Sequence, residues 1–256
     1  MTFIGFLRGL ARLIAGRPRI PRSLAGNEAL RLILQRRSIR KFLDEDIDDD
    51  AWQAVLEAGR LAPSTVNLQT WSFACFQPDQ WQQTFGRRMP MGAARAVIIL
   101  ADTRRARRVV EGFPEVPLCD YTVGVMNASL AAMNMTMAAE ALGLGSVMLS
   151  ETGKTGFYDA WELASILALP RGVTPIMSIV FGRPASRPVM PPKLPLEAVA
   201  FTGQYQDAPQ AVLGRWYEEM QAGYRASTGQ AFSRQIDHYN KRLGQAEQEL
   251  RAWVLD

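Results

Sequence analysis

Between Tyr121 and Leu142 the chain runs YTVGVMNASLAAMNMTMAAEAL, a stretch of helical length that is small or apolar nearly all the way round. Such a helix has no face to offer to water, so it is expected to be the buried spine of the fold that contains it. Its methionines read as core filler. The sequons beginning at Asn127 and Asn134 fall inside that spine and are not expected to carry glycans. Other elements surround it in the sequence. Helical spacing starts at Asn27 and runs to Arg36, a second helix carries Trp52, Val55, Leu56 and Gly59 and stops at Ala62-Pro63, and a third spans Phe157 to Leu169. Strands are expected over Trp71 to Phe76, Ala96 to Ala101, Ser146 to Ser150 and Thr174 to Gly182. Helices and strands do not alternate regularly, so the fold class is α+β, a sandwich and not a βαβ array.

Composition limits the chemistry. The 256 residues include two cysteines, Cys75 and Cys119, and one histidine, His238. That is too little for a disulfide framework or a zinc or di-iron centre, and it removes most Ser-His-Asp and Cys-His chemistry, since the lone histidine near the C-terminus would have to be the base. The chemistry is expected to belong to a cofactor. The acidic run Asp44 to Asp50 is read as a helix cap with macrodipole partners, Asp48 to Asp50 lying just before Trp52. Gly143-Leu144-Gly145 closes a helix and enters a strand, the reverse of a dinucleotide fingerprint. Gly153-Lys154-Thr155 lacks the first glycine of a phosphate loop, whose place is taken by Met148.

The formal charge of +4 has a location. Residues 1–22 hold Arg8, Arg12, Arg17, Arg19 and Arg22 and no acid, so setting those five aside leaves the rest at −1. A body so nearly neutral is not expected to track nucleic acid. The apolar part of the arm, residues 3–14, is too short for a span of about 20 residues and is interrupted by Arg8 and Arg12. It suits a peripheral contact with an anionic membrane, a transit sequence, or a plain terminal strap. Arg104, Arg105, Arg107 and Arg108 read as a solvated face. In the tail, Ile236, Tyr239, Leu243, Ala246, Leu250 and Trp253 step by three and four, an apolar seam that must bury against this chain or a second copy.

One polar cluster stands out. Arg36-Arg37-Ser38-Ile39-Arg40 sets three guanidiniums and a hydroxyl at a helix end, a local anion site if it is not a solvated turn. Arg36 to Phe42, followed by Leu56-Glu57-Ala58-Gly59-Arg60-Leu61-Ala62-Pro63-Ser64-Thr65-Val66-Asn67-Leu68-Gln69-Thr70-Trp71, resembles the opening of the FMN-dependent nitroreductase family. Later landmarks resemble it in the same order: Ala141 to Gly145, Leu169 to Val173, Phe181-Gly182-Arg183-Pro184 and Pro192 to Glu197. The resemblance spans residues 28–205. It implies a three-layer sandwich with a mixed, mainly antiparallel sheet flanked by helices, in an intertwined homodimer. Three segments are expected: a basic arm over 1–27, the FMN-binding domain over 28–205 and a helical extension over 206–256.

The resemblance also implies a cofactor and its holders. Arg36, Arg37, Ser38 and Arg40 would take the FMN phosphate and ribityl chain, with Lys193 on the phosphate. Pro63, Ser64, Thr65, Asn67 and Gln69 would reach the flavin of the other subunit, and Leu149, Ser150, Glu151 and Gly153 would pass its ring. The implied activity is ping-pong reduction of nitroaromatics, quinones or similar small acceptors, with NADH or NADPH as donor, in the cytoplasm. Reductive dehalogenation, azoline dehydrogenation and flavin cleavage are known on the same scaffold, and a low-turnover flavin-binding, membrane-associated protein is the alternative from another class. Val109 to Cys119 is the expected substrate lid, with Phe113 either stacking on substrate or packing the loop. Two positions depart from the family: Thr70 replaces the usual proline, which loosens the loop, and Pro191 replaces a cation, which leaves Lys193 and the arginines more of the phosphate.

Overall fold

The computed structural model describes residues 21–150 and 160–255, arranged as two units. The larger takes in Glu28–Pro188 and the chain from Arg242 onward; the smaller takes in Val189–Lys241 and the described residues before Glu28. Residues 1–20 of the basic arm lie outside the described residues. Among the described residues no helix is long and apolar enough to cross a membrane.

The larger unit is built on four strands, β1 (Trp71–Phe76), β2 (Arg95–Asp102), β3 (Gly145–Leu149) and β4 (Val173–Gly182), in the order β1-β2-β4-β3 with every ladder antiparallel. A parallel bridge joins Ser38 to Ser146, so the sheet is mixed but mainly antiparallel, as expected. The side chains of β2 alternate as a strand demands. Val97, Ile99 and Ala101 enter one apolar cluster with Val55 of α2 (Asp49–Arg60) and with Ala128, Ala131, Ala132 and Met135 of α5 (Pro117–Ala141). Ala96, Ile98 and Leu100 enter the opposite cluster with Trp81 of α3 (Pro78–Phe85) and Leu163 of α6 (Ala160–Ile166). Two cores on one sheet give three layers, and each fully buried Ile or Val is worth roughly 1.5–3 kcal/mol to them.

The remaining helices of the larger unit are α1 (Glu28–Gln35) and α4 (Arg104–Val109). In the smaller unit, α7 (Gln210–Thr228) buries Val212, its Trp216 indole donates to Pro192 O at 3.4 Å, and Tyr217 and Tyr224 face Phe232. The last helix, α8 (Phe232–Leu255), carries the predicted seam. Its distal half is settled within the larger unit, where Ala246 is buried, Trp253 meets the Trp161 ring edge-on, and the Trp253 indole N–H donates to Val173 O at 3.0 Å.

The spine departs from its expectation. One side of α5 is buried, but Met126, Leu130 and Met133, spaced four and three apart, are exposed. An all-round apolar pattern records burial without saying which surface supplies it, and among the described residues of a single chain nothing covers this side. The methionines divide likewise: Met135 is core filler, and Met126 and Met133 are not.

The acidic run behaves as a cap and an anchor. The Asp48 carboxylate accepts from the Ala51 N–H at 2.8 Å, and Asp49 and Asp50 occupy the first turn of α2. Asp46 instead holds the buried Arg95 in a two-toothed ion pair, and Arg95 also donates to Ile47 O at 3.2 Å. Burial raises the Asp46 carboxyl, but the Arg95 hydrogen bond, the Ile47 N–H and the Arg95 charge together lower it below its ordinary value of 3.8. A carboxyl depressed in the folded state adds stability above its unfolded pKa and loses it as the pH falls through the folded value. The wild type is therefore expected to exceed Asp46→Asn in urea midpoint at about pH 6, with the gap narrowing as the pH falls below about 4. Two midpoints that stay parallel over that window would contradict the linkage.

Candidate functional site

The arginine segment follows α1 and lies along one end of the sheet. Arg37 turns back on the helix, its Nη1 donating to Leu34 O at 2.7 Å and Arg36 O at 2.8 Å, the capping that orphan C-terminal carbonyls require. The chain then runs extended: the Ile39 N–H donates to Ser146 O at 2.9 Å, the Leu43 N–H to Arg183 O at 2.9 Å, and the Ala185 N–H to Lys41 O at 3.0 Å. Ile39 is fully buried, so its neighbours Ser38 and Arg40 are directed the other way, and Arg40 is exposed.

Two glycines make this close approach feasible. Gly145 and Gly182 are direct cross-strand partners on β3 and β4. A Cβ on Gly145 would stand 2.8 Å from Ile39 Cγ1, and one on Gly182 would stand 2.8 Å from Phe42 Cδ1. The sheet corner is cut back at both positions, and the Ser38–Phe42 segment occupies the space. Glycine's missing Cβ is used here for backbone approach.

Loop 64–70 is the second component. Val66, Asn67 and Gln69 have φ of 50°, 56° and 50°, a left-handed conformation costing on the order of 1–3 kcal/mol per residue outside glycine. Local bonds hold it: the Gln69 N–H donates to Ser64 Oγ at 3.0 Å and the Asn67 N–H to Ser64 O at 3.1 Å. So do two distant side chains. Asn127 of α5, buried, accepts from the Thr65 N–H at 3.1 Å and hydroxyl at 3.3 Å, and its Nδ2 donates to Thr70 Oγ1 at 2.8 Å. Arg105 of α4 donates to Gln69 O at 3.1 Å and to Trp71 O. Pro63, Asn67 and Gln69 are exposed, and Val66 is 86% exposed at the tip.

The other expected residues are placed unevenly. Leu149 ends β3 buried in the core shared with α3 and α6, and Ser150 beside it is exposed. Glu151 and Gly153 lie outside the described residues. Lys193 is an exposed side chain of the smaller unit. Phe113 is half-buried in the α4–α5 connection, its N–H donating to Val110 O at 3.3 Å. The arginine face of α4 is not wholly solvated, a correction to the sequence reading. Arg105 is spent on the loop, and Arg107 pairs with Asp120 and donates to Pro114 O at 3.2 Å, tying down the connection that carries Phe113. An open groove of about 440 Å³ runs beside the loop between Asn67, Leu68, Arg105, Arg108, Val109 and Val110.

Side-chain acid–base and thiol chemistry have little foothold. Among the described residues no three His, Cys, Asp or Glu converge as metal ligands. The Cys75 side chain reaches the surface, yet the packing around it pushes its thiol up to about 11, so it is protonated and a poor nucleophile at neutral pH. The donor set instead fits a phosphorylated cofactor. The Arg36 guanidinium at the end of α1, with the Ser38 hydroxyl and Arg40 guanidinium on the extended segment seated at the glycine-lined corner, matches the charge and oxygens of a phosphate dianion.

Comparison with known proteins agrees with this chemistry. The chain is 29% identical to the oxygen-insensitive NADPH nitroreductase of Salmonella typhimurium over 225 residues, covering 84% of this chain and 90% of the relative. It is 28% identical to the FMN reductase [NAD(P)H] of Bacillus subtilis over 234 residues, covering 85% and 92%. The solved structure of B. megaterium NfrA2 superposes with a TM-score of 0.76 at 26% identity, over 89% of this chain and 96% of that one. The model of the nitroreductase family matches residues 33–183, the span holding the arginine segment, loop 64–70 and the whole sheet, and the chain belongs to that family.

Proposed function

We propose that this chain is an FMN-dependent NAD(P)H oxidoreductase that reduces small electron acceptors such as quinones and nitroaromatics, working as a homodimer. The observation that carries this reading is the arginine segment: Ile39 and Phe42 fill the space left by Gly145 and Gly182 and so seat the segment on the sheet, with Ser38 and Arg40 turned the other way and Arg36 just before them at the end of α1, a donor set suited to a flavin phosphate. Arg37 has a different part, since its guanidinium closes α1 and fixes where the segment begins. Bound FMN would supply the redox chemistry, taking hydride from a nicotinamide and passing electrons to the second substrate. The protein's share is placement and electrostatics. Loop 64–70 offers the side chains of Asn67 and Gln69, whose amides can both donate to and accept from the polar edges of a cofactor.

The homodimer reading rests on the open side of α5. Met126, Leu130 and Met133 form an exposed apolar row, and Leu61 and Val66 are exposed on the segment that Asn127 ties to the same helix. A second copy is the occupant that also brings loop 64–70 to a cofactor held by the other chain. Met126→Lys with Leu130→Lys is expected to halve the mass seen by sedimentation and to release FMN in parallel. A double variant that stays dimeric excludes this face.

The function is tested on the purified full chain. A yellow protein with a flavin spectrum is expected, bleached anaerobically by NADH or NADPH and recoloured by a quinone or nitroarene. A chain that cannot take up added FMN would falsify the oxidoreductase reading, and one that holds FMN unbleached by either nicotinamide would leave a flavoprotein with a different electron donor.

A further inference from the structure

We propose that Asn127 is the positioning residue for loop 64–70, a single buried amide that holds both ends of the loop and so presents its left-handed tip to the cofactor. The inference rests on the reading of that loop as part of the flavin site, and it adds a residue of α5 that touches neither cofactor nor substrate.

The argument is one of geometry and satisfaction. Asn127 lies in the middle of an apolar helix and is 1% exposed. A polar group buried so completely must find partners, and among the described residues those of its side chain are Thr65 and Thr70, both on the loop. Its Oδ1 receives the Thr65 N–H and hydroxyl, and its Nδ2 reaches Thr70 Oγ1. Thr65 and Thr70 bracket the three residues of positive φ, Val66, Asn67 and Gln69. None of those three is glycine, so the conformation is not one that the free chain would favour. It persists because both ends are fixed to a rigid helix, with Ser64 and Arg105 adding restraint from within and from outside. Removing the amide should free the tip without disturbing the cores on which the rest of the unit depends.

The experiment compares the full-length wild type with Asn127→Leu, Asn127→Asp, Thr70→Val and a control, Thr136→Val. Thr136 is also buried on α5, but its hydroxyl bonds only within its own helix, to Met133 O at 2.8 Å. Amide hydrogen exchange is measured at Thr65 and Gln69 in the flavin-free protein, and FMN affinity by fluorescence titration. Asn127→Leu should exchange at Thr65 at least about tenfold faster, with Gln69 following, and bind FMN about tenfold or more weakly. Thr70→Val, which removes only the far contact on a β-branched isostere, should move both about threefold. Asn127→Asp keeps acceptors for Thr65 and for a rotated Thr70 hydroxyl, so it should restore both to within about threefold.

Two results overturn the proposal. One is Thr65 exchange in Asn127→Leu that is unchanged, or accelerated no more than in Thr136→Val. The other is faster exchange with FMN affinity intact, which makes the clamp structural only. A wild type that takes up no FMN overturns the functional reading instead, and the exchange ratios then decide alone whether Asn127 holds the loop.

Discussion

Arg36→Gln combined with Arg40→Gln is expected to yield a folded, colourless protein. Each guanidinium directed at a phosphate makes charge-assisted hydrogen bonds worth about 1.5–3 kcal/mol, so losing two should weaken FMN binding by roughly 10²–10⁴-fold. Stability should barely move, because Arg40 is exposed and the bonds that fix the segment, such as Ile39 N–H to Ser146 O, are made by backbone. Arg37→Gln should behave in the opposite sense. Its guanidinium caps the carbonyls of Leu34 and Arg36, so the loss falls on stability, with FMN affinity little changed. Flavin titration and thermal melting on the same three proteins separate the two roles. Equal affinity losses at Arg37 and at the Arg36/Arg40 pair would sink the division of labour.

Gly145→Ala should damage both stability and binding through one methyl group. The new Cβ would meet three Ile39 carbons at 2.8 to 3.0 Å, and Ile39 is fully buried with nowhere to withdraw. Overpacking of this kind costs about 1–3 kcal/mol, which in a protein of this size lowers the melting temperature by roughly 2–12 °C. The more telling effect is on the cofactor. Ile39 cannot move without carrying Ser38 and Arg40, so FMN affinity should fall by more than the same loss of stability produces elsewhere in the sheet. Reducing the obstacle with Ile39→Val should recover part of both. A Gly145→Ala protein that melts lower yet binds FMN normally would show that the segment adapts.

Much of the fold could be read from local pattern. Strand Trp71–Phe76 carries alternation and a turn-rich flank, and its bounds match the prediction residue for residue. The capping role of Asp48 was equally accessible, because a cap is a short-range device. What escaped was non-local. The guanidinium of Arg105 is used 34 residues away at Trp71 O, and that of Arg107 at Asp120, whereas a run of arginines on a short helix reads as solvated. Arg36 and Arg37 look interchangeable in the sequence, and only the turn at the end of α1 sets them apart. Thr70 read as a loosening of the loop because it stands where a proline is usual. Its hydroxyl is in fact the far partner of Asn127, across 57 residues. A signal was available there: an asparagine at the centre of an apolar helix needs hydrogen-bonding partners, and a threonine in place of a rigid residue can be one.

The docking of Trp253 on Val173 and Trp161 has a consequence for synthesis. The larger unit is discontinuous, with Val189–Lys241 interposed in chain order before Arg242 returns to it. As the chain leaves the ribosome, β4 and α6 emerge some 80 residues before the indole that covers them. At about 5–20 residues per second, that surface waits on the order of 4–16 seconds for its cover. Ribosome-bound intermediates stalled before Arg242 should therefore be the aggregation-prone ones, and a chaperone that binds apolar surface should release them once Trp253 has emerged.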